Sequence, residues 1–140
     1  MKRISLIALI LAVSFAYNCG QKKPENTTVT TTSTSNDLKT VYFDYDESLV
    51  RSDQATILKN NYSLVKEKSA TVEGHCDERG SNEYNLALGQ RRAQSVKSYY
   101  VNLGAEGSKI KVISYGESKP SCSSSDESCW AKNRRADTRK

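Results

Sequence analysis

At 140 residues the chain has room for one domain with a single modest core. Its 21 Lys and Arg against 16 Asp and Glu give a formal net charge of +5. The arginine pairs Arg91-Arg92 and Arg134-Arg135 stand apart without interleaved exposed aromatics, which excludes the dense basic stripe of a nucleic-acid reader, and no nucleic acid partner is expected.

The chain opens with Lys2 and Arg3, then an apolar run from Ile4 to Phe15 without a charge, ending near small residues and Cys19. These are the n-region, h-region and cleavage site of a secretory signal, expected over residues 1–18. The run is too short to span a bilayer comfortably. A cysteine directly after such a run is where bacterial lipoproteins are cleaved and diacylated, so Cys19 is the expected lipidation site. Ala16, Tyr17 and Asn18 depart from the usual leucine followed by small residues, and a simple secreted protein with a free Cys19 stays open as the alternative. Gly20 follows the cysteine, and in the enteric sorting rule the lack of aspartate there points to the outer membrane. Losing Lys2 and Arg3 with the signal lowers the formal charge from +5 to +3.

Residues 19–39 read as a tether behind the lipidated cysteine: Pro24, then a tract of Thr and Ser with almost nothing to bury. Some 20 residues reach ~65 Å at full stretch and about 25 Å as a relaxed coil. The folded domain is expected over residues 40–140. From Thr40 to Asp46, Val41, Phe43 and Tyr45 alternate with Tyr42, Asp44 and Asp46, the period of a half-buried strand. Ser52 and Asp53 start a helix continued at helical spacing by Ala55, Leu58, Tyr62 and Val65. Ala70 to Cys76 is the second strand. Ser81 or Asn82 caps a long second helix with Glu83 in its first turn, carrying Leu88, Val96, Tyr99 and Leu103 before Gly104 ends it. Ile110 to Tyr115 forms a third strand closed by Gly116. Cys129 to Asn133 makes a helical turn and Arg134 to Thr138 a last strand. The sum is β-α-β-α-β with a terminal short α-β piece, an α+β two-layer sandwich with helices packed on one side of a mixed sheet.

Three cysteines follow Cys19. Cys122 and Cys129 bracket the polar loop SSSDES in a chain read as exported, where disulfides persist, and they are expected to pair. Cys76 shares a strand face with Ala70, Val72 and Gly74 and reads as a small buried hydrophobe. The charged turn Cys76-Asp77-Glu78-Arg79-Gly80 joins that strand to the long helix. On the helix, Arg92 lies four residues after Leu88 and four before Val96, so it shares a face with apolar neighbours that turn toward the core. A guanidinium there wants a carboxylate, and Asp77 is the natural candidate. Two readings follow: a structural ion pair holding strand to helix, or a cleft in which acid and arginine grip the ammonium and carboxylate of a zwitterionic ligand.

The run VEGHCDERGSNEYNLALGQRRAQSVKSYY, with VYFDYDESLVRSD before it and ISYGESKP and NRRA after it, resembles the OmpA-like domain of peptidoglycan-associated lipoproteins, the Pal family, over residues 40 to 138. The resemblance implies the OmpA-like sandwich and recognition of the diaminopimelate-containing stem peptide of peptidoglycan. Asp77 matches the family acid and Arg92 the family arginine that hold the ammonium and carboxylate. Asn85 matches a supporting helix asparagine, Tyr45 and Asp46 the opposite wall, and Arg134 or Arg135 a supporting arginine. ADTRK at the end is short and polar where the family continues with an apolar strand.

An enzyme needs more than the adjacency of His75, Cys76 and Asp77. Neighbouring strand residues point to opposite faces, so His75 and Cys76 cannot act as base and nucleophile together, and no catalytic residue is assigned. One His and scattered carboxylates lack the spacing of a metal site, so neither metal nor cofactor is expected. His75 reads as a satisfied polar residue propping the ligand loop. The expected molecule is thus a noncovalent anchor: lipid at Cys19 in the outer membrane, facing the periplasm, a tether, and a domain that clamps peptidoglycan. The resemblance adds Tol-Pal partners such as TolB. The alternative is a periplasmic protein-protein interaction module with Asp77 and Arg92 as a purely structural pair.

Overall fold

The computed structural model describes residues 37–140. The signal, Cys19 and nearly all of the tether therefore lie outside the described residues. The strands are β1 (Val41–Tyr42), β2 (Ala70–His75), β3 (Ile110–Gly116) and β4 (Arg135–Arg139), and the α-helices are α1 (Ala55–Val65), α2 (Asn82–Asn102) and α3 (Glu127–Asn133). Short 3-10 turns at Ser52–Gln54 and Gly107–Lys109 lead into α1 and β3. The order β-α-β-α-β-α-β matches the expectation.

One mixed sheet runs β1-β4-β2-β3, with β2 parallel to β3 and β4 antiparallel to both of its neighbours. The polar last strand is an interior strand. Alternation lets it be one: Ala136 joins the core, and Thr138, on the same face, shares a hydrogen bond of 2.8 Å with the buried Tyr100 hydroxyl of α2. Arg135, Asp137 and Arg139 take the opposite face. The core between sheet and helices holds Val41, Phe43, Leu58, Val65, Val72, Val96, Tyr100 and Ile110. Tyr100, rather than the expected Tyr99, is the fully buried tyrosine of α2, and Tyr99 packs at the edge.

Two local features set the functional end of the domain. Ser81 caps α2, its hydroxyl accepting from the Tyr84 amide at 3.2 Å, and α2 lies so close on β2 that a Cβ on Gly74 would stand 1.9 Å from the Gly89 carbonyl oxygen. Only glycine admits that approach, which brings the Arg92 side of α2 against the end of β2. The first strand is much shorter than its alternation suggests. Past Tyr42 the partner strand runs out at Arg135, one last ladder-like bond joins the Phe43 amide to the Arg134 carbonyl, and the chain then turns at Asp46, whose φ is +57°.

Candidate functional site

That turn, the loop after β2 and the first half of α2 enclose a cavity of about 160 Å³ lined by Asp46, Cys76, Asp77 and Arg92 among others. Tyr45 and Asn85 also line it, so five of the seven ligand residues expected from sequence, Tyr45, Asp46, Asp77, Asn85 and Arg92, meet at one place. The other two separate. Arg134 packs behind Asp77, whereas Arg135 points to the opposite face of the sheet, with its guanidinium on Asp137 and the Lys119 carbonyl.

Arg92 is 1% exposed. The Asp77 pairing expected for it does not form. Its guanidinium donates to the backbone carbonyls of Glu47 at 2.8 Å, His75 at 2.9 Å and Asp44 at 3.1 Å, and reaches Cys76 Sγ at 3.4 Å. This explains the truncated first strand, because carbonyls that would extend a ladder turn inward onto the guanidinium. Neutral oxygens satisfy its donors without cancelling its charge. Burial lowers the Arg92 pKa, opposed by the Cys76 thiol and by Asp77. Among the described residues no carboxylate forms an ion pair with Arg92.

Asp77 is nearly as buried, at 4% exposed, and its balance is the reverse. Its Oδ1 accepts from the Arg79 amide and Nε at 3.1 and 3.2 Å, and its Oδ2 from Arg79 Nη2 at 2.7 Å and Arg134 Nη1 at 3.3 Å. Burial pushes this carboxyl up, but the bonds from Arg79 and then Arg134 outweigh it, and the pKa falls below the ordinary carboxylate value. Arg134 also bonds the Phe43 carbonyl and Glu127, tying β1 and α3 to the site.

Arg79 and Trp130 were missed by sequence reasoning. The Arg79 guanidinium lies between two rings, 4.0 Å from the Tyr45 centroid and 4.1 Å from that of Trp130 on α3. A signal existed in the two-residue spacing Asp77-x-Arg79, an acid and a base on one tight turn, but nothing local announces a tryptophan some fifty residues on. Tyr84 is the other addition, donating its hydroxyl to Asp46 across the mouth of the cavity. Asn85 plays a positioning part, its amide donating to the Asp77 carbonyl at 3.2 Å and to the Glu117 carboxylate.

Cys122 and Cys129 are joined, with Cα atoms 5.3 Å apart. The bridge braces the loop that leads into α3, and so stands behind Trp130 and Glu127. Cys76 is a free buried thiol as expected, its Sγ donating to the Asn85 carbonyl at 3.2 Å, and burial pushes its pKa up to about 11. His75 faces away from it, against Tyr115 with ring centroids 5.5 Å apart. The expectation of a satisfied histidine is corrected, because neither ring nitrogen has a hydrogen-bond partner.

A family model described as the OmpA family matches residues 42–134. The chain is similar to the peptidoglycan-associated lipoprotein of Rhizobium meliloti (strain 1021), 46% identical over 101 residues covering 70% of this chain and 57% of that protein. It therefore spans less than two thirds of that relative's length. A protein of the same name from Pasteurella multocida (strain Pm70) is 34% identical over 146 residues, covering 97% of both chains. The crystal structure of the peptidoglycan-associated lipoprotein from Burkholderia pseudomallei superposes with a TM-score of 0.69 at 38% identity, over 71% of this chain and 87% of that one.

Proposed function

The chain belongs to the OmpA family, and from that premise and the geometry of the cavity we propose that it binds peptidoglycan noncovalently through the stem peptide. The ligand would be the zwitterionic end of diaminopimelate, one ammonium and one carboxylate on a single centre. Arg92 receives the carboxylate and Asp77 the ammonium, with Asn85 and Arg134 holding Asp77 in place. The observation that carries this reading is the buried Arg92, whose donors are met by carbonyls while its charge stays open toward a polar cavity. A carboxylate there gains a charge-assisted contact away from bulk water.

Around that site we place the rest of the molecule: lipid at Cys19 in the outer membrane, a tether of residues 19–39 on the periplasmic side, the peptidoglycan-binding domain over residues 40–140, and Tol system proteins such as TolB as partners. The names of the relatives support the cell-wall setting. The interaction-module alternative had Asp77 and Arg92 paired with each other, and Asp77 instead pairs with Arg79 and Arg134.

The test is a comparison of two stem peptides that differ at one residue, diaminopimelate in one and lysine in the other. Lysine keeps an ammonium but lacks the second carboxylate. The diaminopimelate peptide should bind at least about tenfold more tightly, the worth of one charge-assisted hydrogen bond. Equal affinities, or no binding of either peptide by the folded protein, would defeat the reading.

A further inference from the structure

The face of the sheet turned away from α1 and α2 carries a second cluster of charged groups. Glu73 of β2 and Asp137 of β4 are directly opposed partners in the antiparallel ladder, and His75, two residues along β2, shares their face. One donor atom from each of the three lies within 4.8 Å of the others, with His75 Nε2 3.8 Å from Asp137 Oδ2. In the sequence the two carboxylates look scattered, and the insertion of β4 beside β2 gathers them.

Two observations ask for a cation at this place. Like charges directly opposed across a strand pair repel. The imidazole of His75, 3% exposed, has no hydrogen-bond partner on either nitrogen, whereas buried polar atoms are ordinarily paired. A neutral imidazole with both nitrogens unpartnered has a lone pair to offer a metal ion.

The cations now beside the carboxylates are arginines. Arg135 Nε is 3.0 Å from Asp137 Oδ2, and Arg139 lies 3.4 Å from Glu73 and 3.7 Å from Asp137. The Thr40 hydroxyl donates to Asp137 Oδ1 at 2.6 Å. Arg135 is largely buried, but the Arg139 side chain is 65% exposed, and exposed pairs of that kind contribute little. With Arg139 swung into solvent, two carboxylates against Arg135 leave one net negative charge to meet an incoming ion.

We infer that Glu73, His75 and Asp137 form a binding site for a divalent transition-metal ion, with zinc(II) the fitting probe for one imidazole nitrogen and two carboxylate oxygens. Donors around a tetrahedral zinc stand about 3.4 Å apart, so a spacing of up to 4.8 Å closes by at most about 1.4 Å, within reach of side-chain rotation at the partly exposed Glu73. Such an ion would join β2 to β4 behind His75, whose carbonyl holds Arg92 on the other side of the sheet.

The experiment adds zinc(II) to the full chain in detergent and follows both competition with a chromophoric chelator and the thermal midpoint. One zinc per chain is expected, with a midpoint that rises with free zinc. Asp137→Asn and Glu73→Gln should each weaken binding by about tenfold or more, and Arg139→Ala should tighten it. Both carboxylate variants are close in shape to the native residues, and their zinc-free midpoints report whether they fold. A folded native protein that takes up no zinc, or zinc uptake unchanged in both folded carboxylate variants, overturns the inference.

Discussion

Arg92 and Asp77 sit on one cavity at similar depth, yet their charges are handled in opposite ways. The guanidinium is surrounded by neutral carbonyls from the turn after β1 and the end of β2. The carboxylate is held by two guanidiniums. A buried charge must be paired or fully hydrogen-bonded, and the two walls satisfy that rule by its two routes. The consequence is directional. Local charge around Asp77 is already compensated, whereas that of Arg92 is not, so the wall with more to gain from a ligand is the arginine one.

Arg92→Met puts that asymmetry under the largest stress. It keeps much of the side chain's length while removing the charge and every donor. The His75 carbonyl, in the buried end of β2, then loses a partner, and stability should fall by about 2 to 3 kcal/mol. Affinity for the diaminopimelate stem peptide should fall by about a hundredfold, the upper end of what one charge-assisted hydrogen bond contributes. Calorimetry and a binding titration on the same preparation separate the two effects, and retained affinity in the folded variant would reverse the assignment of the walls.

Asp77→Asn examines the compensated wall. Affinity should fall about tenfold, and stability by about 1.5 to 3 kcal/mol for the lost charge-assisted bonds. The effect is pH-dependent with a definite sign. A carboxyl whose folded pKa is depressed adds stability that is present above its unfolded value of about 3.9 and lost as pH falls through the folded value. The stability difference between native protein and variant should thus shrink as pH drops below about 4. His75, held down to about 4 by burial, owes its shift to other groups, so its titration largely cancels in the difference, which reports Asp77 together with the nearby Glu78 and Glu127 that its charge influences.

How much of this was legible depends on how far the deciding contact reaches along the chain. The cap at Ser81, the end of α2 at Gly104 and the burial of Arg92 are local or periodic, and each can be read from a short window. The pairing of Cys122 with Cys129 spans a sequence separation of only 7 and was equally plain. The exchange of partners at Asp77 was legible only in part: Arg79 lies two residues on, but Arg134 arrives from 57 residues away. The choice between Arg134 and Arg135 rests on which strand face each takes, a parity that depends on where α3 hands over to β4. The last strand was expected at Arg134 to Thr138 and forms at Arg135–Arg139, but its interior place in the sheet was not legible in so polar a run, because it depends on Ala136 and Thr138 meeting the helices.

The disulfide offers a milder way to loosen the Asp77 wall alone. Cys129 begins the turn of α3 that carries Trp130, and α3 also supplies Glu127 to Arg134. Replacing both cysteines by serine should lower stability by about 2 to 3 kcal/mol on the chain-entropy model for so short a loop. Affinity should drop only a few-fold, since Arg92 and its carbonyl cage lie on other elements. A loss as large as that of Arg92→Met in the folded double variant would mean that α3 governs both walls.

The smallest expected effect is the most discriminating. Arg79 occupies three of the contacts on the Asp77 carboxylate, and its guanidinium competes with any ammonium for the same oxygens. Its side chain is partly exposed, at 29%, and is held in place by Tyr45 and Trp130 on either side. In Arg79→Met an apolar side chain of similar reach replaces it between the rings, the backbone amide still donates to Oδ1, and Arg134 still pairs with Oδ2. The carboxylate therefore stays oriented while one cation leaves it. Stability should fall by only about 1 kcal/mol, as for a partly exposed pair, and affinity for the zwitterionic peptide should rise by a few-fold. The lysine peptide, which lacks the carboxylate for Arg92 but keeps the ammonium, should gain by the same factor, because the change acts on the ammonium end alone. A fall in affinity for both peptides would show instead that Arg79 itself holds the ligand, and that the anionic wall is not fully compensated until the ligand is bound.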